Sequence, residues 1–258
     1  LPSPHTPILP TKQWINKSEL NPYADFILQI DDLIGRLNSL LIDEQIDENT
    51  ILIISSDNGC SPEANFKLLD EKGHDPSYIF RGHKADIFEG GTRVPLIIKW
   101  PKKIQKKSIS NELVSLVDFY STFAEILGLN LGENEGEDSF SLVPIFENSD
   151  SLSSRNSLVT SSVNGTFAIQ KNEFKLITSP DSGGWSQPVP RNNNDNISAD
   201  FQLYNLELDP GEENNLYSKN NIIANELKDE LKKIIIDGRS TFGKKLKNEN
   251  IDNWKQIN

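Results

Sequence analysis

Two short apolar runs constrain this chain more than any other feature. Ile51-Leu52-Ile53-Ile54 ends in Ser55-Ser56-Asp57-Asn58-Gly59. Leu96-Ile97-Ile98-Lys99-Trp100 follows the Gly-rich segment Glu89-Gly90-Gly91-Thr92-Arg93-Val94-Pro95. A brief apolar run without alternation suits a strand buried on both faces, and a helix preceding the first run predicts an α/β sheet with parallel strands. In such sheets ligands collect beyond the carboxyl ends of the strands. Asp57 and Asn58 fall there, and His83 and Lys84 precede the second run. An acid, an amide, a lysine and a histidine on neighbouring loops describe one wall of a site for a metal ion and an anion.

Composition narrows what that site can serve. The 258 residues are 36% hydrophobic, enough for one large or two small domains. A formal net charge of −12 excludes general binding to nucleic acid or anionic membranes, which needs a basic face. Positive charge for an anionic substrate must therefore be local. The single cysteine, Cys60, excludes an intrachain disulfide and an all-cysteine metal site. No apolar run approaches the ~18 residues of a membrane span. The chain contains no Met, starts at Leu-Pro-Ser-Pro-His and shows no leader-like segment. It is expected to be the downstream part of a longer protein, so it carries no information on compartment.

Pro2, Pro4, Pro7 and Pro10 make the first ten residues a loop, with His5 in it. Pro22 to Glu44 has apolar residues at helical spacing, with Asn21 as N-cap and Pro22 at the first helical position. Gly35 inside it suggests close approach of a neighbour. Ser61 to Tyr78 is a polar excursion containing His74, long for a βα connection and of the kind that lines substrate sites. Glu89 to Pro95 reads as a tight turn, its two glycines implying positive φ or close backbone approach. Leu113 to Leu127 is a second amphipathic helix, closed by Gly128. Lys102, Lys103, Lys106 and Lys107 form a basic run with no assigned function.

After Ser151 the pattern shifts to short strands. Ser157 to Val163, Gly165 to Gln170, Phe174 to Thr178 and Phe201 to Leu206 are strand segments, with Asn172-Glu173 turning a hairpin. A helix with Leu227, Leu231, Ile234 and Ile235 on one face follows. The expected division is residues 1–150, part of an α/β sheet flanked by helices, and residues 151–258, a small antiparallel sheet with a helix. The polar loop Ser179 to Asp200 carries Trp185, which either stacks on a sugar ring or anchors the loop.

Asp57 and Asn58 offer hard oxygen donors, which suit Ca²⁺, and secondarily Mg²⁺, rather than Zn²⁺. Two ligands are too few for Ca²⁺, so others must come from elsewhere. Asp-Asn-Gly is equally good turn chemistry without a metal. Lys84 would supply a point charge to a tetrahedral oxyanion. His5 or His83 could hold an anionic oxygen or protonate a leaving group. Metal, lysine and histidine together suit phosphoryl or sulfuryl transfer.

Ser56-Asp57-Asn58-Gly59, Arg81-Gly82-His83-Lys84 and Glu89-Gly90-Gly91-Thr92-Arg93-Val94-Pro95, in that order, resemble the type I sulfatases of the alkaline-phosphatase-like superfamily. Ser3-Pro4-His5-Thr6-Pro7 resembles that family's histidine loop. Lys175-Leu176 and Leu203 to Glu212 resemble its small C-terminal subdomain. The resemblance implies that Asp57 and Asn58 ligate a sulfate-bound Ca²⁺, that Lys84 contacts the sulfate and ester oxygens, and that His5 binds sulfate and helps protonate the departing alcohol. It implies a sulfated carbohydrate substrate. His74, His83 and Trp185 are candidate substrate-binding residues by their place in the polar loops, although the family pattern singles out Lys84 and not His83. A periplasmic or secreted location follows from the same resemblance.

One departure is serious. The family's nucleophile is a Cys or Ser matured to formylglycine in the form Cys/Ser-x-Pro-x-Arg. Cys60-Ser61-Pro62-Glu63-Ala64 begins alike but has Ala64 where Arg is needed, and it follows the metal pair directly. Cys60 is read as a buried or supporting thiol, and no residue of this chain as the nucleophile. Formylglycine and further metal ligands are expected in an N-terminal part of the same protein, without which this segment should be inactive. A phosphodiesterase or phosphonate hydrolase of the same superfamily, or a non-catalytic glycan-binding relative, are the alternatives.

Overall fold

A computed structural model describes residues 3–147, 155–190 and 201–247. Helix α1 (Pro22–Asp43) leads to strand β1 (Leu52–Ser55). A long excursion follows, holding the short helices α2 (Phe66–Asp70) and α3 (Glu89–Thr92), and returns as β2 (Leu96–Lys99). Helices α4 (Asp118–Ile126) and α5 (Val143–Phe146) come next. Strands β3 (Leu158–Ser161), β4 (Phe167–Lys171), β5 (Phe174–Ile177) and β6 (Gln202–Asn205) precede the last described helix, α6 (Asn221–Asp237).

The caps read from sequence are present. Asn21 Oδ1 accepts from the Ala24 amide at 2.9 Å at the start of α1. Gly128 after α4 has φ +68°.

The parallel pairing expected for β1 is not found among the described residues. β1 and β2 pair antiparallel, with Leu52 opposite Lys99 and Ser55 opposite Leu96. Parallel pairing needs a crossover that returns the chain to the opposite end of the ladder. Here the excursion is tied shut at one end: Gly59 N donates to Gly91 O at 3.0 Å and Ser55 Oγ to Pro95 O at 2.8 Å. The chain must therefore re-enter antiparallel, and both ends of the excursion lie together.

Three further expectations change. The glycines of 89–95 form one helical turn rather than a positive-φ turn, and close approach is what requires them. Gly35 has nothing within 4 Å of an added Cβ, so no neighbour crowds it. The second amphipathic helix begins at Asp118, not Leu113. The Asp118 carboxylate accepts from Ser115 N at 2.7 Å and Phe140 N at 2.9 Å, and pairs with buried Arg155. Those ties hold residues 113–117 out of the helix.

The four later strands form an antiparallel sheet in the order β3-β4-β5-β6. Period-2 alternation sends its side chains to two buried faces. Ile169, Leu176 and Leu203 pack with Leu227 and Leu231 of α6. Ala168, Ile177 and Tyr204 pack on the opposite face against Ile87 and Phe88. Burying each large side chain contributes roughly 1.5–3 kcal/mol. The 87–88 segment thus shares a core with the later sheet.

Helix α1 is less covered. Ile27, Leu28, Leu33, Leu37 and Leu40 of α1 are all exposed, Leu40 at 53%. Of these, Leu33, Leu37 and Leu40 share one face at helical spacing, and an exposed apolar stripe of this kind suits contact.

Candidate active site

The tied ends of the excursion build the site. Asp57 is exposed and Asn58 half-buried immediately after β1. Asn58 Nδ2 donates to Gly59 O at 3.0 Å, which leaves the amide oxygen for a cation. Gly59 then rests on α3: a Cβ there would lie 1.8 Å from Gly90 O. Gly90 and Gly91 are as tightly placed, their added Cβ atoms falling 2.3 Å from Gly82 O and Asp86 O respectively. Glycine is required at all three positions because backbone packs directly on backbone.

The same packing brings Lys84 in. Its amide donates to Cys60 O at 2.9 Å, so the lysine lies beside the Asp57–Asn58 loop although 24 or more residues separate them in sequence. Lys84 is half-buried. His83, next to it, places Nδ1 3.0 Å from Lys84 O and 3.4 Å from Asp86 Oδ2, and packs its ring 5.7 Å from that of Phe66. Both oxygens are acceptors only, so the ring proton belongs on Nδ1 and Nε2 is left for another partner.

The remaining expected residues are less connected. His5 is exposed, and its ring Nδ1 meets only its own loop, at Thr6 O 2.9 Å. No hydrogen bond, ion pair or ring contact among the described residues ties it to Asp57, Asn58 or Lys84. His74 is exposed, with its backbone amide bonded to Leu69 O at 3.0 Å. Trp185 is 51% exposed on a loop whose preceding residues are buried. Residues 191–200 of that loop lie outside the described residues.

Cys60 is half-buried and interacts with the Tyr23 hydroxyl. Burial, the largest influence, pushes its thiol up from the ordinary value, with Asp75 adding to it and Tyr23 opposing. A thiol held protonated is a poor nucleophile.

Sequence reasoning missed the support beneath this loop cluster. Lys175, buried in β5, projects onto the 87–89 face of the later sheet and donates to Ile87 O at 2.8 Å and Glu89 Oε1 at 2.9 Å. Its ammonium also lies 3.0 Å from Glu212 Oε1, so one buried cation serves two buried carboxylates. Glu89 in turn holds Arg93 at 2.6 Å. Burial raises the Glu89 carboxyl, but Lys175 and Arg93 outweigh it and hold it below the usual range. Burial lowers Lys175, and the two glutamates outweigh that and raise it. Glu212 is the member left high: burial dominates, Lys175 opposes and Glu89 adds repulsion. All four residues stand in the motifs quoted above, Glu89 and Arg93 in the Gly-rich segment and Lys175 and Glu212 in the C-terminal stretches, but nothing local indicates that they meet.

What could bind here is limited by the donors. Asp57 and Asn58 provide hard oxygens that fit part of a Ca²⁺ shell. Among the described residues there is no group of three or more His, Cys, Asp or Glu able to hold a metal. A cleft of about 740 Å³ opens beside Asp57, with Arg93, Arg155, Thr160 and Gln170 among its walls.

The arrangement brings an acid, an amide and a lysine onto neighbouring loops, and comparison with known proteins gives the chain a family. The sulfatase family pattern matches residues 1–129, and that of the N-sulphoglucosamine sulphohydrolase C-terminal region matches residues 83–185. This chain belongs to the sulfatase family, with the alkaline-phosphatase-like fold of its structural neighbours. It is 33% identical over 238 residues to the N-acetylgalactosamine-6-O-sulfatase of Bacteroides thetaiotaomicron, covering 89% of this chain and 45% of that one. A solved protein of glycosaminoglycan metabolism in the same organism superposes with a TM-score of 0.78 at 31% identity, covering 91% of this chain and 48% of the other. The PsFucS1 sulfatase from Pseudoalteromonas sp. gives 0.72 at 26% identity, over 90% and 46%. The chain therefore spans less than half the length of these three relatives.

Proposed function

We propose that this chain is the C-terminal part of a sulfuric ester hydrolase that removes sulfate from a sulfated glycan. The observation that carries the proposal is the Lys84 amide bond to Cys60 O, which joins the lysine loop to the Asp57–Asn58 loop. That bond is made by the backbone, so it brings the segment carrying Lys84 beside the turn. The relative from Bacteroides thetaiotaomicron is an N-acetylgalactosamine-6-O-sulfatase, which supports a sulfated amino sugar as the substrate class.

In this reading Asp57 and Asn58 would hold Ca²⁺, which when bound supplies positive charge to the sulfate group. Lys84 adds a point charge to the sulfate and ester oxygens, stabilising the charge that develops as the ester bond breaks. His5 takes part in protonating the departing alcohol once the rest of the site is assembled. His83 offers Nε2 to the bound sugar or sulfate, and the exposed His74 would contact the glycan beyond it.

The attacking group, formylglycine, and the other metal ligands would come from an N-terminal part of the same protein. The apolar face of α1 supports this, since Leu33, Leu37 and Leu40 on it are 40%, 42% and 53% exposed. Without that part the segment would not turn over substrate. An enzyme of this kind would work in the periplasm or outside the cell, where polymeric sulfated glycans are met; fractionation of the producing cells checks it.

The test uses the full-length protein. It should release sulfate from a sulfated glycosaminoglycan oligosaccharide, and Lys84→Ala should lower turnover by about 10²–10³-fold with an unchanged urea midpoint. Near-normal turnover in that variant would sink the assignment. Ca²⁺ should raise the melting temperature of the wild type and not of Asp57→Ala.

A further inference from the structure

Asp86 is 1% exposed and joins two loops far apart in sequence. Its Oδ2 accepts from the His83 amide at 2.9 Å. Its Oδ1 accepts from the amides of Trp185 at 2.7 Å and Ser186 at 3.0 Å. Gly184 makes this possible, because a Cβ there would lie 2.5 Å from both Ala85 O and Asp86 Oδ1. Two more bonds run alongside: Ile87 N to Ser182 O at 2.8 Å and Val163 N to Ala85 O at 3.0 Å.

A buried carboxylate must have its charge met, and three backbone amides do so here. Because those amides come from two segments, the bonds also fix the segments relative to each other. One segment carries His83 and Lys84. The other carries Trp185, whose side chain stays 51% exposed while Ser182, Gly183 and Gly184 before it are buried. An indole on a tethered backbone, half in water, presents an apolar face at little ordering cost.

We propose that Asp86 is a positioning residue that locks Trp185 to the Lys84 loop. The indole then serves as a stacking platform for the pyranose ring whose sulfate ester meets Lys84. The inference rests on the sulfatase reading above and deepens it. Asp86 touches no substrate. It sets the distance between the place where a sugar ring lies and the place where its sulfate is held, and so which sulfate position on the ring is accepted.

The test compares a sulfated disaccharide with a small aryl sulfate, nitrocatechol sulfate, in the full-length protein. Trp185→Ala should lower kcat/KM for the disaccharide about tenfold more than for the aryl sulfate, through KM. Asp86→Asn should show the same selective loss, because an amide can accept on one side only and turns its NH₂ group toward a backbone N–H on the other. The double variant should lose no more selectivity than Trp185→Ala alone, since both act through one contact.

Equal losses on the two substrates in Trp185→Ala, or additive losses in the double variant, would overturn the proposal. A urea melt identifies an Asp86→Asn protein that does not fold, in which case Trp185→Ala decides, with Trp185→Phe expected to recover most of the selectivity. Failure of the wild type to release sulfate from either substrate counts against the sulfatase reading instead. Calorimetric binding of the disaccharide then decides this inference: weakened binding in Trp185→Ala upholds it, and unchanged binding overturns it.

Discussion

Lys175 Nζ and Glu89 Oε1 lie 2.9 Å apart, both side chains almost fully buried, although the residues are 86 positions apart in the chain. The pair ties β5 of the later sheet to the first turn of α3, and α3 is the turn against which Gly59 of the Asp57–Asn58 loop rests. Lys175→Met would leave Glu89 and Glu212 buried near each other without their shared cation. The expected loss is about 3–5 kcal/mol in denaturant unfolding of the full-length protein. Adding Glu212→Gln should recover part of it by removing the repulsion.

The same network sets a pH dependence. Glu89 is held below its ordinary value, so its contribution is complete above roughly pH 4.3 and is lost as pH falls through the depressed value. Lys175 is held high, so its contribution is complete below roughly pH 10.4 and is lost as pH rises through the raised value. Glu212 is raised and has the opposite sign to Glu89, favouring the fold when protonated. The urea midpoint should therefore fall on acidification below about pH 4, less steeply in Glu89→Gln than in the wild type. Equal slopes would remove Glu89 from the account.

Gly59→Ala tests the close approach of the Asp57–Asn58 loop to α3. A methyl 1.8 Å from Gly90 O cannot be accommodated without moving backbone. The expected destabilisation is about 1–3 kcal/mol, the usual range for overpacking. The Ca²⁺-induced rise in melting temperature should also shrink. A variant that unfolds normally and keeps the full calcium response would show that the two backbones are not in contact.

Cys60→Ser separates a supporting thiol from a nucleophile. The contact to Lys84 uses the Cys60 carbonyl, which serine retains. Turnover of the full-length protein should change by threefold or less, on the order of a surface-like substitution. A drop of several orders of magnitude would make Cys60 part of the chemistry despite Ala64. Alkylation kinetics give a second check, since a thiol pushed up by burial reacts slowly at neutral pH.

Local sequence determined much of this protein. Asn21 and Pro22 start α1 where capping chemistry requires, and Gly128 ends α4 with the φ that glycine tolerates. The period-2 runs at Leu158–Ser161, Phe167–Lys171 and Phe174–Ile177 are strands, turned at Asn172 with φ +51°. The motifs around Asp57, Lys84 and Glu89 to Pro95 led to the sulfatase family because their order along the chain is itself information. Tertiary structure decided what depends on contacts between distant residues. The antiparallel pairing of β1 with β2 follows from the tie between Gly59 and Gly91, which no apolar run encodes. Asp86 and Lys175 look like ordinary polar residues in the sequence. They acquire their parts only because folding buries them beside groups about 90 or 100 positions away, where an unpaired charge could not remain.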